Sequence, residues 1–204
     1  QATRSGIDAY LGMMRLQVPR GARIYFYFSG LGTTERTYGN AYVMPYEGDP
    51  GSVEESGYRL WNLLNGLGDT NAKEVFAFVD AATSGLGPRS VAAKDQRAPV
   101  KTRDEDAPPR VILLGAASPG EIAMTYGATS EGVLTHYLVE GLGHARADLD
   151  GNGDITVAEL SQWVRPRVTR DTANAKQIQN PILSLGSGVS LPTRISLTSG
   201  LASP

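Results

Sequence analysis

Residues 23–32, RIYFYFSGLG, and residues 74–85, EVFAFVDAATSG, decide how this chain folds. Each opens with an almost unbroken run of β-branched and aromatic residues and stops at a turn of small residues. A continuous apolar run, in place of strict alternation, is the pattern of a strand buried on both faces, as in a parallel sheet. Working outward, Ile7, Tyr10, Leu11 and Met14 stand at helical spacing over residues 3–14, and that helix should end before Pro19. Residues 38–50 read as a short hairpin or an extended loop. Tyr58, Leu60, Trp61, Leu63 and Leu64 suggest a second helix, and RVILLGA over 110–116 a third strand. Val133, Leu134, Tyr137, Leu138 and Leu142 mark one helical face over 131–145. Residues 156–168 give another helix, which Pro166 should bend or end, and a last strand is expected over 181–185. Strands alternating with helices argue for an α/β layer fold around a mostly parallel sheet, whose ligand sites lie beyond the carboxyl ends of the strands.

The chain has 204 residues, 41% of them hydrophobic and 20% charged, enough for one sizeable core. We read one domain over 1–186 and a Ser/Gly/Leu-rich tail over 187–204 that holds one short strand or frays. Residues 87–109 are polar, proline-rich and of mixed charge, which predicts an exposed, mobile loop. The formal net charge of −2 offers no basic field for a phosphate backbone, so nucleic acid is not an expected partner. No apolar run reaches the roughly 18–20 residues that span a bilayer, and the start QATRSGID lacks the plan of a signal peptide, so no membrane partner is expected. The compartment stays open. Cysteine is absent, which removes disulfides, thiolate zinc sites and any thiol nucleophile together.

The most specific motif is residues 148–159, DLDGNGDITVAE. It sets Asp148, Asp150, Asn152, Asp154, Thr156 and Glu159 at positions 1, 3, 5, 7, 9 and 12 of an EF-hand-like loop, with Gly153 at position 6 where the chain turns sharply. The aspartates, Asn152, the Asp154 carbonyl and a bidentate Glu159 would supply the hard oxygens that calcium needs, with a water near Thr156. The plainer alternative is an acidic surface loop in which Thr156 and Glu159 form a capping box. Only one such loop is present, which favours a structural calcium over a switch. The two histidines, His136 and His144, lie on or near a helix and are read as structural. No serine stands in a Gly-x-Ser-x-Gly elbow, and Gly30-Leu31-Gly32 is not followed by the Lys-Ser/Thr of a phosphate loop.

Taken in order, these pieces resemble the caspase-like cysteine peptidases, including bacterial metacaspase-like proteins. Residues 24–32 resemble the family strand that ends in Ser-Gly-His-Gly, and here Leu31 stands where the catalytic histidine would be. Residues 75–85 resemble the strand that ends in Asp-Ala-Cys-x-Ser-Gly, and here Ala82 stands where the nucleophile would be. Residues 3–16, residues 111–118 with Gly120-Glu121, and the helix from Glu131 resemble further family elements, and an acidic loop like 148–159 recurs in bacterial members. The match runs over roughly residues 3–185. It implies a three-layer α/β/α sandwich. It also implies that Asp80 helps receive a basic side chain, and that backbone N–H groups near Gly32 and Ala82 stand where an active relative would form its oxyanion hole, though donors without a nucleophile give binding and not turnover. The bland role for Asp80 is to cap the turn after its strand.

Leucine cannot move a proton and alanine has no lone pair, so the thiolate–histidine chemistry of the family should be absent. We therefore expect a pseudopeptidase that acts as a protein-interaction or regulatory module with one structural calcium. Two other readings stand beside it: a disabled form of an Arg/Lys-directed caspase-like endopeptidase, and a calcium-stabilised structural domain of a larger bacterial protein. The resemblance also implies that a strand, helix and strand are missing ahead of residue 3. The edge of the 23–28 strand would then be bare, unless another chain or the tail over 189–197 pairs with it. The expected partner is a protein or peptide, another chain completing the sheet among them.

Overall fold

The computed structural model describes residues 2–35, 39–49, 51–81, 106–118, 121, 123–127, 131–173 and 178–195. Ala82, Gly120 and most of the expected 87–109 loop lie outside the described residues. The first helix, α1 (Arg4–Gln17), is capped by Thr3, whose hydroxyl accepts the Gly6 N–H at 3.0 Å. Its stripe buries Leu11 and half-buries Ile7 and Met14, whereas Tyr10, expected inside, is 67% exposed.

Four strands form the main sheet: β1 (Arg23–Ser29), β5 (Glu74–Asp80), β6 (Val111–Gly115) and β7 (Ile182–Leu185), in the order β1-β5-β6-β7. The first three run parallel and β7 antiparallel. A small antiparallel sheet, β2 (Gly32–Thr34), β3 (Ala41–Val43) and β4 (Tyr58–Arg59), follows β1; within the 38–50 stretch expected to be a hairpin or extended loop the described residues hold one strand, β3, whose partners β2 and β4 both lie outside it. The glycine turn is correspondingly shorter than expected, because Gly32 already belongs to β2. A short helix, α2 (Val53–Ser56), precedes β4, which takes Tyr58 out of the next helix, α3 (Leu60–Gly68).

The central sheet separates two cores, because successive side chains on a strand point to opposite faces. Val75, Ala77 and Val79 of β5 pack with α1 and α3, through Leu11, Leu63, Leu64 and Leu67. Phe76 and Phe78 pack on the other side with α4 (Val133–Leu138) and α5 (Val157–Ala173), through Leu134, Leu160 and Val164. The result is an α/β fold of three layers around a mostly parallel sheet.

Three expectations need correction. The helix expected over 131–145 is α-helical only to Leu138 and then widens into a π-helical turn, Val139–Gly143, where Gly141 passes close to Trp163. Pro166 does not end α5, which runs on to Ala173; nearby, the Arg167 guanidinium stacks over the Trp163 ring at 3.3 Å and donates to the Trp163 carbonyl. The end of the polar 87–109 stretch is not loose either, for Ala107 and Pro108 are buried and the Ala107 N–H donates to Ser184 Oγ of β7.

The described part of the tail, residues 187–195, does not pair with β1. It crosses the molecule to residues 155–158, where Arg194 bridges Thr156 in antiparallel fashion and Ile195 enters the core beside Ile155 and Val157. These residues are held through their backbone at that place and not at the β1 edge. Among the described residues no strand pairs with the outer edge of β1.

Candidate functional site

Parallel pairing in register sets the ends of β1 and β5 side by side: Phe28 faces Val79, Ser29 faces Asp80, and the Gly30 N–H donates to the Asp80 carbonyl at 3.3 Å. Leu31, the next residue, projects from this rim and is 45% exposed, and its carbonyl accepts the Met44 N–H. Gly32 is buried and pairs with Val43. The two strand ends that resemble the family's catalytic strands thus share one rim. Ala82 itself lies outside the described residues.

Asp80 is completely buried. One of its carboxylate oxygens, Oδ2, accepts both the backbone N–H of Thr135 at 3.0 Å and the Thr135 hydroxyl. Thr135 lies in the first turn of α4, so the carboxylate satisfies an otherwise orphaned donor and sits at the favourable, positive end of the helix. The cap that Asp80 provides among the described residues is therefore on a distant helix, while most of the turn that follows its own strand lies outside them. The Tyr27 hydroxyl adds a third member at 2.8 Å from Thr135 Oγ1. Next along α4, His136 stacks on Tyr126 at 3.7 Å between ring centroids, with its Nδ1 3.6 Å from Glu131. His144, beyond the π turn, lies 3.8 Å from Glu140.

The second cluster is the 148–159 loop. Gly151 and Gly153 take φ of +73° and +85°, the left-handed region that a side chain resists, and this lets the chain curl around its own carboxylates. Asp148 accepts the N–H groups of Asn152 at 3.1 Å and Gly153 at 2.9 Å. Asp150 accepts the Asn152 N–H and side-chain amide, and Asn152 Oδ1 accepts the Asp154 N–H. Glu159 and Thr156 form the reciprocal capping box, with Thr156 N–H and hydroxyl donating to Glu159 Oε2 and the Glu159 N–H donating to Thr156 Oγ1. The Leu149 N–H holds Glu159 Oε1 at 3.1 Å, which turns the carboxylate back over the loop.

Asp148, Asp150 and Glu159 converge, one carboxylate oxygen from each lying within 4.8 Å of the other two, and the three could hold a metal ion. Burial pushes the Glu159 carboxyl up, but the donors from Thr156 and Leu149 outweigh it and hold the group below its ordinary value. A carboxylate oxygen that accepts one such bond keeps a second lone pair for a cation, as those of Asp148 and Asp150 do, whereas Glu159 Oε2 already takes two donors from Thr156. Of the other predicted positions, Asn152 is turned inward to the loop, Thr156 serves as the cap, and the Asp154 carboxylate pairs with Arg194 at 2.7 Å.

Sequence reasoning missed Thr135, Tyr27, Arg194 and Gln179. Gln179 is completely buried; it donates to the Ala116 carbonyl at the end of β6 and accepts the Met124 N–H, each at 2.8 Å. An isolated polar residue in a loop carries no pattern that announces such a role.

No family model matches the chain, and no curated protein matches it. Among solved structures it is similar to protein GSU0716 from Geobacter sulfurreducens, at 16% identity and a TM-score of 0.60, over 90% of this chain and 74% of that one. At that identity the likeness concerns the fold alone, and it agrees with the α/β architecture described above.

Proposed function

We propose that the chain is a caspase-like domain without peptidase chemistry, an interaction or regulatory module that carries one structural calcium in its 148–159 loop. The observation that carries the reading is the shared rim of β1 and β5, with the exposed Leu31 following directly on Ser29-Gly30. A rim of this geometry with leucine at that place has no group there to accept or deliver a proton. The converging carboxylates of Asp148, Asp150 and Glu159 support the metal, and their oxygen-only chemistry with the EF-hand spacing favours calcium. The outer edge of β1, with which no strand pairs among the described residues, is where a protein or peptide partner, another chain included, would extend the sheet.

The test is restoration. The parent should show no turnover of peptides ending in Arg or Lys. The double variant Leu31→His/Ala82→Cys should gain measurable cleavage if the groove of the family persists around the rim. Turnover by the parent would overturn the pseudopeptidase reading.

A second reading, a calcium-stabilised structural domain with no peptide groove, is favoured by the complete burial of Asp80, whose Oδ2 accepts from Thr135. An inert but folded double variant would support it. Cleavage after basic residues by that variant would count against it, and the natural gene sequence at positions 31 and 82 would then separate a natural pseudopeptidase from a disabled Arg/Lys-directed peptidase.

A further inference from the structure

The tail meets the acidic loop at a particular place, the start of α5. A helix leaves its first N–H groups without intrahelical acceptors, and each needs a partner from elsewhere. Here the Val157 N–H donates to the Thr193 carbonyl at 2.9 Å and the Ala158 N–H to the Leu191 carbonyl at 3.1 Å. The next donor, Glu159 N–H, is taken by Thr156 Oγ1, and Leu160 N–H returns to the Thr156 carbonyl. Two of the first four donors of α5 are thus satisfied by the tail. In the other direction, the Ile195 N–H donates to the Ile155 carbonyl at 2.6 Å, and with the isolated antiparallel bridge between Arg194 and Thr156 this lays the segment 191–195 against the exit of the loop.

Two side chains fix this segment. Ile195 is buried beside Ile155, Val157 and Leu160, and the Arg194 guanidinium pairs with Asp154. By EF-hand spacing, Asp154 would contribute its backbone carbonyl to a cation, not its carboxylate. Its carboxylate is therefore available to be tethered without removing a ligand. Glu159, the one position expected to ligate with both oxygens, rides on the helical turn whose donors the tail holds.

We propose that residues 191–195 are the built-in partner of the single EF-hand-like loop, so that docking of the tail and binding of a cation at Asp148, Asp150 and Glu159 are energetically coupled, with Arg194 and Ile195 as positioning residues. This rests on the metal reading above. Coupling of this kind is reciprocal: whatever factor tail docking adds to cation affinity, the cation returns to tail docking. Arg194 brings a positive charge near the site, which opposes a cation; the tether wins only if fixing Asp154 and the first turn of α5 outweighs that repulsion. The relative effects of Arg194 and Ile195 substitutions therefore separate charge from position.

The experiment begins with the unaltered chain, by amide hydrogen exchange with and without calcium chloride. Calcium should slow exchange not only at Asn152 and Gly153 within the loop but also at Val157, Ala158 and Ile195, by roughly tenfold or more. Slowing confined to the loop, with the tail-bonded amides unchanged, would overturn the coupling while leaving the metal reading intact. No slowing anywhere, together with no heat on calcium titration, would overturn the metal reading and the coupling with it. In the second arm, Ile195→Ala should weaken calcium binding roughly fivefold or more without any change of charge, and Arg194→Ala should weaken it less, because removing the guanidinium also removes its repulsion of the cation. Calcium affinity unchanged in a folded Ile195→Ala protein would refute the proposal. Should that variant not fold, the exchange measurement on the parent decides alone.

Discussion

The hydroxyl of Tyr27 on β1 lies 2.8 Å from that of Thr135 on α4, and Thr135 in turn donates to the carboxylate of Asp80, buried at the end of β5. Three residues from three elements, up to 108 positions apart in sequence, close one hydrogen-bonded chain from the protein surface to the end of the central strand. A buried carboxylate is tolerable only while its donors are present.

Thr135→Val keeps the backbone donor to Asp80 and removes the hydroxyl. It should cost about 2–3 kcal/mol, the range for a hydrogen bond to a buried charge. Tyr27→Phe, at the solvated end of the chain, should cost less than about 1 kcal/mol. Denaturant unfolding of the two variants checks the order, and equal costs would show that the hydroxyl of Thr135 serves only its own helix.

Gly186 follows β7 where the chain passes against Pro108, and a Cβ placed there would come 1.8 Å from the Pro108 carbonyl oxygen. Backbone on both sides leaves no flexible side chain to yield. Gly186→Ala should therefore destabilise the fold by about 3 kcal/mol, at the upper end of overpacking costs, as a loss in thermal midpoint. A near-neutral result would mean that the 106–109 segment detaches easily from β7.

Tyr58 donates to Asp8 at 2.7 Å and Tyr137 donates to Asp171. Burial first, and then these bonds to carboxylates, push both phenols up to about 12. An unfolded tyrosine titrates near 10, so between these values the folded state holds more protons than the unfolded state. The stabilisation is complete below pH 10 and is lost as pH rises towards 12. Tyr58→Phe and Tyr137→Phe should each flatten that alkaline decline. On the acid side, Asp171 is held below its ordinary value by hydrogen bonds from Arg170 and then Tyr137, so its contribution fades only as pH falls through that lowered value. Stability measured from pH 3 to 12 tests both limbs.

Glu159 is both the capping residue of α5 and a member of the acidic triad, and Glu159→Gln separates the two roles. Glutamine can maintain the capping box, so without calcium the variant should match the parent within about 0.5 kcal/mol. Calcium at a hundredfold over its dissociation constant should stabilise the parent by about 2.7 kcal/mol and the variant much less. Asp150→Asn should behave likewise, since it too removes a ligand charge. Thermal midpoints with calcium chloride and with chelator give the answer; equal calcium shifts in parent and variants would leave the capping box as the whole purpose of Glu159.

The strands at the centre of the fold were legible because nearly every residue of 74–80 is buried and apolar, and burial on both faces leaves a continuous pattern. Less was legible where local signals conflict. The π turn at Val139–Gly143 arises where Gly141 packs on Trp163 of α5, a meeting that no spacing within residues 131–145 announces. Pro166 reads as a helix breaker, yet packing of Val164 and Val168 into the core holds α5 together across it. The spacing of the acidic loop identified Asp148, Asp150 and Glu159, while the commitment of the Asp154 carboxylate to Arg194 depends on a segment 40 positions later.

By itself the sequence determined the layer architecture, the acidic loop and the lack of any thiol, because these follow from periodicity, fixed spacing and residue chemistry, which are local. Only the tertiary structure decided where the tail lies, which helix Asp80 caps and how Gln179 joins β6 to the segment containing Met124. Those choices are made by unsatisfied donors and acceptors finding partners across distant parts of the chain. Such pairings become definite only once the hydrophobic layers have brought the candidates together and excluded water from between them.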